Sequence, residues 1–180
     1  SNDPENVRQL LQDEKGGILQ LLDLMPSSQY PNFAFKNEGN LKFVNQGSEW
    51  GLGEPMYSSG SAYGDLDNDG DLDLIINNIN SPARVYRNNS DTARFKSVSM
   101  TLSSAGRNRF LVGTQVKAYG SGRVFSGDNY TVRGYQSSVQ PTITLGVGAD
   151  VTKLDSLVIY WPHGDYSVIY SLSVNHHYHF

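Results

Sequence analysis

The chain contains no cysteine. That single absence removes a disulfide framework, a zinc-thiolate site and a thiol nucleophile together. No apolar run approaches the roughly 20 residues that a membrane-spanning helix requires, and the opening residues do not read as a signal peptide. Basic side chains nowhere gather into a stripe, which excludes the electrostatic footprint of a nucleic-acid binder. A phosphate cradle is missing too, because Gly120-Ser121-Gly122 lacks the lysine and the strand-to-helix setting that such a loop needs.

Charge of one sign is also scarce outside one place. The formal net charge is -4, from 18 acidic against 14 basic side chains. Five of those acids lie within Asp65-Leu66-Asp67-Asn68-Asp69-Gly70-Asp71-Leu72-Asp73, and without them the balance is 13 against 14. The acidity is therefore one local feature, and a bound cation would neutralise part of it.

What is present points to a mainly β globular protein. Hydrophobic residues make up 38% of the chain and aromatics 11%, with 18 glycines, a composition that suits many short strands joined by turns. Residues 1–29 are predicted as a helical lead-in. Asp3 suits the N-cap and Pro4 the first helical position, Leu10, Leu11, Ile18, Leu19, Leu21 and Leu22 supply an apolar face, and Gly16-Gly17 interrupts it. From Tyr30 onward, short runs of Val, Ile, Tyr and Phe alternate with clusters of Gly, Asn, Asp and Ser, the grammar of strands and turns.

Two segments echo each other 51 residues apart: Asn32-Phe33-Ala34-Phe35-Lys36-Asn37 and Ala83-Arg84-Val85-Tyr86-Arg87-Asn88. Each carries an aromatic, a cation and an asparagine before a polar turn, and the offset lies near the period of propeller blades. Composition places a domain change between Asn89 and Arg94. Residues 30–93 then form a calcium-binding β repeat. Residues 94–180, with Val116-Lys117-Ala118-Tyr119, Thr142-Ile143-Thr144-Leu145 and Leu157-Val158-Ile159-Tyr160-Trp161, read as a compact β-sandwich or barrel.

The acidic loop carries the chemistry. Ca²⁺ takes six to eight oxygen ligands, so a short loop must aim several carboxylates and a carbonyl inward. Asp65, Asp67 and Asp69 recur at alternate positions, Gly70 permits a sharp turn, Asp71 is placed to offer its backbone carbonyl, and Asp73 closes the set as a bidentate ligand. Leu66 and Leu72 are expected to point away and anchor the loop. An EF-hand would need a glutamate at the twelfth position, where Ile76 stands, and flanking helices. The alternation of Leu72, Leu74 and Ile76 is instead that of a strand, so the loop is predicted to join two strands. Magnesium suits it less well because it retains water, and paired catalytic acids face each other across a cleft instead of sharing one turn.

Gly64 to Leu74, together with Tyr86-Arg87-Asn88, resembles the FG-GAP/VCBS repeat of integrin-like β-propellers. The stretch from Asn32 through Trp50-Gly51-Leu52 looks like the strand pair that precedes the calcium loop in such repeats. Gly113-Thr114-Gln115-Val116, Arg133-Gly134-Tyr135-Gln136-Ser137-Ser138, Leu145-Gly146-Val147-Gly148 and Trp161-Pro162-His163-Gly164 resemble the ASPIC/UnbV domain that follows these repeats in secreted or surface proteins of Bacteroidetes-like bacteria. The resemblance implies a fragment of a larger extracellular protein that binds or scaffolds without catalysis, which agrees with the abrupt start at Ser1-Asn2-Asp3-Pro4. Its ligand would be a protein or a glycan. A glycan-binding accessory domain of a carbohydrate-processing protein is the alternative.

Three other groups invite sharper readings. His176, His177 and His179 have chelating spacing, but a frayed terminal strand is expected. Trp161 is a possible sugar platform, yet it follows an apolar strand and precedes a Pro-Gly turn, so a core role is favoured. Ser137-Ser138, His163 and Asp165 supply the residue types of a hydrolase triad without a nucleophile elbow or an oxyanion loop.

Overall fold

The computed structural model describes residues 28–180. Residues 1–27 of the predicted helical lead-in therefore lie outside the described residues, and residues 28 and 29 are not helical. Two compact units divide between Tyr57 and Ser58.

In the first unit, β1 (Phe35–Asn37) and β2 (Phe43–Asn45) form an antiparallel hairpin. Its turn is held by the Asn37 side chain, whose Oδ1 accepts from the Gly39 amide at 2.8 Å. Gly39, Asn40 and Leu41 all take positive φ there, and a glycine beginning the run is what makes it inexpensive. Leu52 and Met56 are buried, while Phe33, Phe35, Phe43 and Trp50 stay exposed.

The second unit opens with an antiparallel sheet of β3 (Ser58–Gly64), β4 (Asp73–Asn78) and β5 (Arg84–Tyr86). Gly64 pairs with Asp73, so residues 65–72 are the connection of a strand hairpin. The structure thus shows the strand-loop-strand setting that the leucine alternation predicts. Both echoing segments contribute a strand, β1 and β5.

Nine further strands follow: β6 (Lys96–Thr101), β7 (Gln115–Gly120), β8 (Arg123–Asp128), β9 (Val132–Gly134), β10 (Ser137–Ser138), β11 (Thr142–Gly148), β12 (Lys153–Tyr160), β13 (Tyr166–Ser173) and β14 (His176–His179). β13, β12, β7 and β8 make one antiparallel sheet, and β11, β6 and β14 make another in which β14 runs parallel to β6. Neither closes on itself. Alternation along the strands turns Val98 and Met100, Val116 and Ala118, Ile143 and Leu145, and Leu157 and Ile159 inward to one shared apolar core. The two layers approach closely at Gly127, where a Cβ would lie 2.8 Å from Leu145 Cδ2 and 2.9 Å from Ile143 Cγ2.

The C-terminal histidines are not a frayed end. Asn175 accepts from the Ser97 amide at 3.1 Å through its side chain and donates its own amide to the Ser97 carbonyl at 2.6 Å, which fixes the register in which β14 joins β6. Parallel pairing with a strand about 80 positions earlier is invisible to local sequence pattern.

Candidate metal centre

The acidic loop is folded by its own carboxylates. Asp65 accepts from the Asp69 amide at 3.1 Å and from the Gly70 amide at 3.0 Å, one oxygen to each. Asp69 Oδ1 accepts from the Asp71 amide at 3.1 Å. Such side-chain-to-backbone bonds are the turn-forming habit of aspartate. Asn68 (φ 61°) and Gly70 (φ 94°) supply the left-handed residues that the reversal requires.

Asp73 braces the hairpin. It is 3% exposed, and its two oxygens accept from the Leu66 amide at 3.0 Å and the Asn88 amide at 2.8 Å. Each carboxylate oxygen still keeps acceptor capacity. Leu66 is itself 51% exposed and does not anchor the loop as expected. Asp73 holds that turn through the backbone, leaving the leucine side chain free to face solvent.

Asp65, Asp67 and Asp69 bring ligand oxygens within 4.8 Å of one another. Arg87, just after β5, reaches into this cluster with Nη2 2.8 Å from Asp67 Oδ2 and 3.7 Å from Asp69 Oδ2. Both oxygens of Asp71 are sealed from solvent with no donor among the described residues. The neighbouring Ser90 amide donates to Asn88 Oδ1 and lies close enough to Asp71 to favour its ionised form. Burial, and then the charge of Asp69, push the Asp71 carboxyl above the usual carboxylate range, with Asp73 and Asp67 adding to the effect and the Ser90 backbone opposing it. The convergent set of Asp65, Asp67 and Asp69 consists wholly of hard oxygens, and the sealed Asp71 carboxylate follows it in the same loop. Those properties fit a hard divalent cation and not a soft metal.

The loop also meets the later strands. Ser97 Oγ donates to the Gly70 carbonyl at 2.8 Å. A cavity of about 340 Å³ opens beside this bond, bounded by Asp65 and Asp69 on one side and by Ser99, His176 and His177 on the other. His177 spans two hydroxyls of β6, with Nδ1 2.8 Å from Ser99 Oγ and Nε2 3.0 Å from Thr101 Oγ1. Burial holds its pKa below the ordinary imidazole value, and His179 and His176 lower it further against the pull of Asp65. Arg87 and Asn88 belong to the echoing segment that the sequence singles out; Ser97 and His177 carry no local signal of this neighbourhood.

The remaining candidates resolve into structural roles. Trp161 packs against the core, and its indole N–H donates to Ser167 Oγ at 2.8 Å. Ser137 Oγ donates to the Tyr135 carbonyl at 2.8 Å and accepts from the Ser61 amide at 3.1 Å. His163 and Asp165 form an exposed pair at 3.3 Å. No hydrogen bond joins this pair to Ser137.

Residues 104–180 match the family model described as ASPIC and UnbV. Among curated proteins, the chain is similar to cartilage acidic protein 1 of Mus musculus, 39% identical over 57 residues covering 31% of this chain and 9% of that protein. The Homo sapiens protein of the same name is 37% identical over 57 residues, covering 31% of this chain and 9% of its own length. That of Xenopus tropicalis is 32% identical over 72 residues, or 38% of this chain and 11% of the relative. The match thus spans about a tenth of the relatives' length.

Proposed function

We propose that this chain is a non-enzymatic, calcium-stabilised extracellular β module, part of a larger surface protein, that mediates binding or adhesion to another macromolecule. In this reading the acidic hairpin is an FG-GAP/VCBS-type calcium loop set beside an ASPIC and UnbV domain. Asp65, Asp67 and Asp69 supply carboxylate oxygens, Asp71 supplies charge and its carbonyl, and Asp73 closes the loop.

The observation that carries the reading is the sealed Asp71 carboxylate without a donor, next to three carboxylates whose oxygens already converge. Like charges so placed are costly unless a cation joins them. Similarity to proteins named for cartilage supports an extracellular setting. The exposed Phe33, Phe35, Phe43 and Trp50 of the first unit fit a surface that packs on further protein.

Thermal melts in calcium and in chelator test the calcium role. Extracellular sites bind at roughly 10⁻⁴ to 10⁻³ M, so about 10 mM calcium adds up to about 2.7 kcal/mol, a rise of about 8 °C in Tm. Asp69→Ala is expected to abolish the rise. Identical curves in calcium and chelator would refute the role.

A further inference from the structure

We propose that a second cavity in the same unit binds one pyranose ring of a neutral sugar. The cavity has a volume of about 260 Å³ and lies between Tyr63 near the end of β3, Asp128 at the end of β8, Arg133 in the middle of β9, and Gln140, Thr142 and Thr144 leading into and along β11. It is separate from the acidic cluster and shares none of its carboxylates. Pockets for larger organic ligands run from roughly 300 to 1,000 Å³, so this one suits a single ring.

Its chemistry matches a polyol. The Tyr63 hydroxyl and the Gln140 amide make no side-chain hydrogen bond to the described residues, and both residues line the cavity. The cavity therefore gathers donors and acceptors that are free to serve a ligand. Arg133 donates to the Asp128 carbonyl at 2.9 Å and faces the Asp128 carboxylate at 3.4 Å. That pairing presents N–H donors beside carboxylate acceptors while cancelling net charge, which disfavours an anion and suits paired sugar hydroxyls. Tyr63 is 38% exposed and supplies an aromatic surface for the C–H face of a ring. Ile143 and Leu145 floor the cavity with carbon, and Gly64 leaves room in its wall, where a Cβ would meet only Gln140 Nε2 at 3.9 Å.

The test is an amide-resolved NMR titration of the full chain in calcium buffer with methyl glycosides of glucose, galactose, mannose and N-acetylglucosamine, each run against glycerol as control. At least one glycoside is expected to give saturable shifts at Gly64, Gly127, Gln140 and Thr144, with a dissociation constant of about 10⁻³ M. Gln140→Ala and Tyr63→Phe are each expected to weaken binding about tenfold, the loss of one hydrogen bond, with the rest of the spectrum unchanged. Absence of saturable shifts with every glycoside, shifts reproduced by glycerol, or shifts centred on other residues would overturn the proposal. The melting experiment is independent of this result, because a chain with no calcium response still presents this cavity to a sugar.

Discussion

Ser97 donates its hydroxyl to the carbonyl of Gly70 across 2.8 Å, tying the sharpest point of the acidic loop to β6 of the apolar core. The loop is therefore not an appendage. Order gained in the loop is passed to a strand that pairs with both β11 and β14, so calcium is expected to raise a single cooperative transition of residues 58–180. Ser97→Ala removes the tie. We expect it to cost about 1 kcal/mol and to leave a loop that still binds calcium but protects the β6 amides less in hydrogen exchange.

Asp71→Asn separates charge from shape. Without calcium, removing a sealed, unpaired negative charge is expected to leave stability unchanged or raise it, whereas the calcium-induced rise in Tm shrinks. The wild-type pH dependence follows from the raised folded-state pKa of Asp71. In chelator, the folded chain holds this proton to higher pH than the unfolded chain does. The group's contribution to stability therefore falls as pH rises from the ordinary carboxylate range through the raised value. Calcium requires the ionised form, so the gain in Tm on adding calcium is expected to grow over the same interval. Paired melts across that range measure both slopes.

Asp73→Ala is expected to destabilise the protein by about 3 kcal/mol with or without calcium. It leaves the Leu66 and Asn88 amides without the carboxylate that both now use. Denaturant titration of the variant in chelator checks this. A loss seen only in calcium would contradict the bracing role.

Arg87 competes with a cation for Asp67 and Asp69. The pair is largely exposed, so Arg87→Gln is expected to cost less than 1 kcal/mol of stability. The same change is expected to tighten calcium binding a few-fold by removing a positive charge from the site, most visibly at low ionic strength.

His177 is expected to titrate below its ordinary value, as followed by its ring protons in NMR. Because the folded pKa is depressed, its contribution to stability is complete above the unfolded value and is lost as pH falls through the imidazole range. Ser99→Ala, which removes the hydroxyl at Nδ1, is expected to shift this titration.

The acidic loop is legible in the sequence because everything that shapes it is local: alternate aspartates, an Asn and a Gly at the left-handed positions, and a leucine alternation that marks the following strand. The two-sheet core is legible for a similar reason, since Val116 and Ala118 or Leu157 and Ile159 announce their buried faces by period alone. What the loop rests on is not legible. Ser97 and His177 reach it through the parallel pairing of β14 with β6, and no short-range pattern encodes that register. Leu66 misleads because a leucine beside aspartates reads as an anchor, whereas the Leu66 amide bound to Asp73 and the Asp69 and Gly70 amides bound to Asp65 do the anchoring.

Calorimetric titration of the chelator-treated protein with calcium tests the central claim most directly. One site per chain, with a dissociation constant of about 10⁻⁴ to 10⁻³ M, retained in Leu66→Ala and lost in Asp69→Ala, is the expected result. No binding heat beyond dilution, or equal binding by the Asp69→Ala variant, would contradict it.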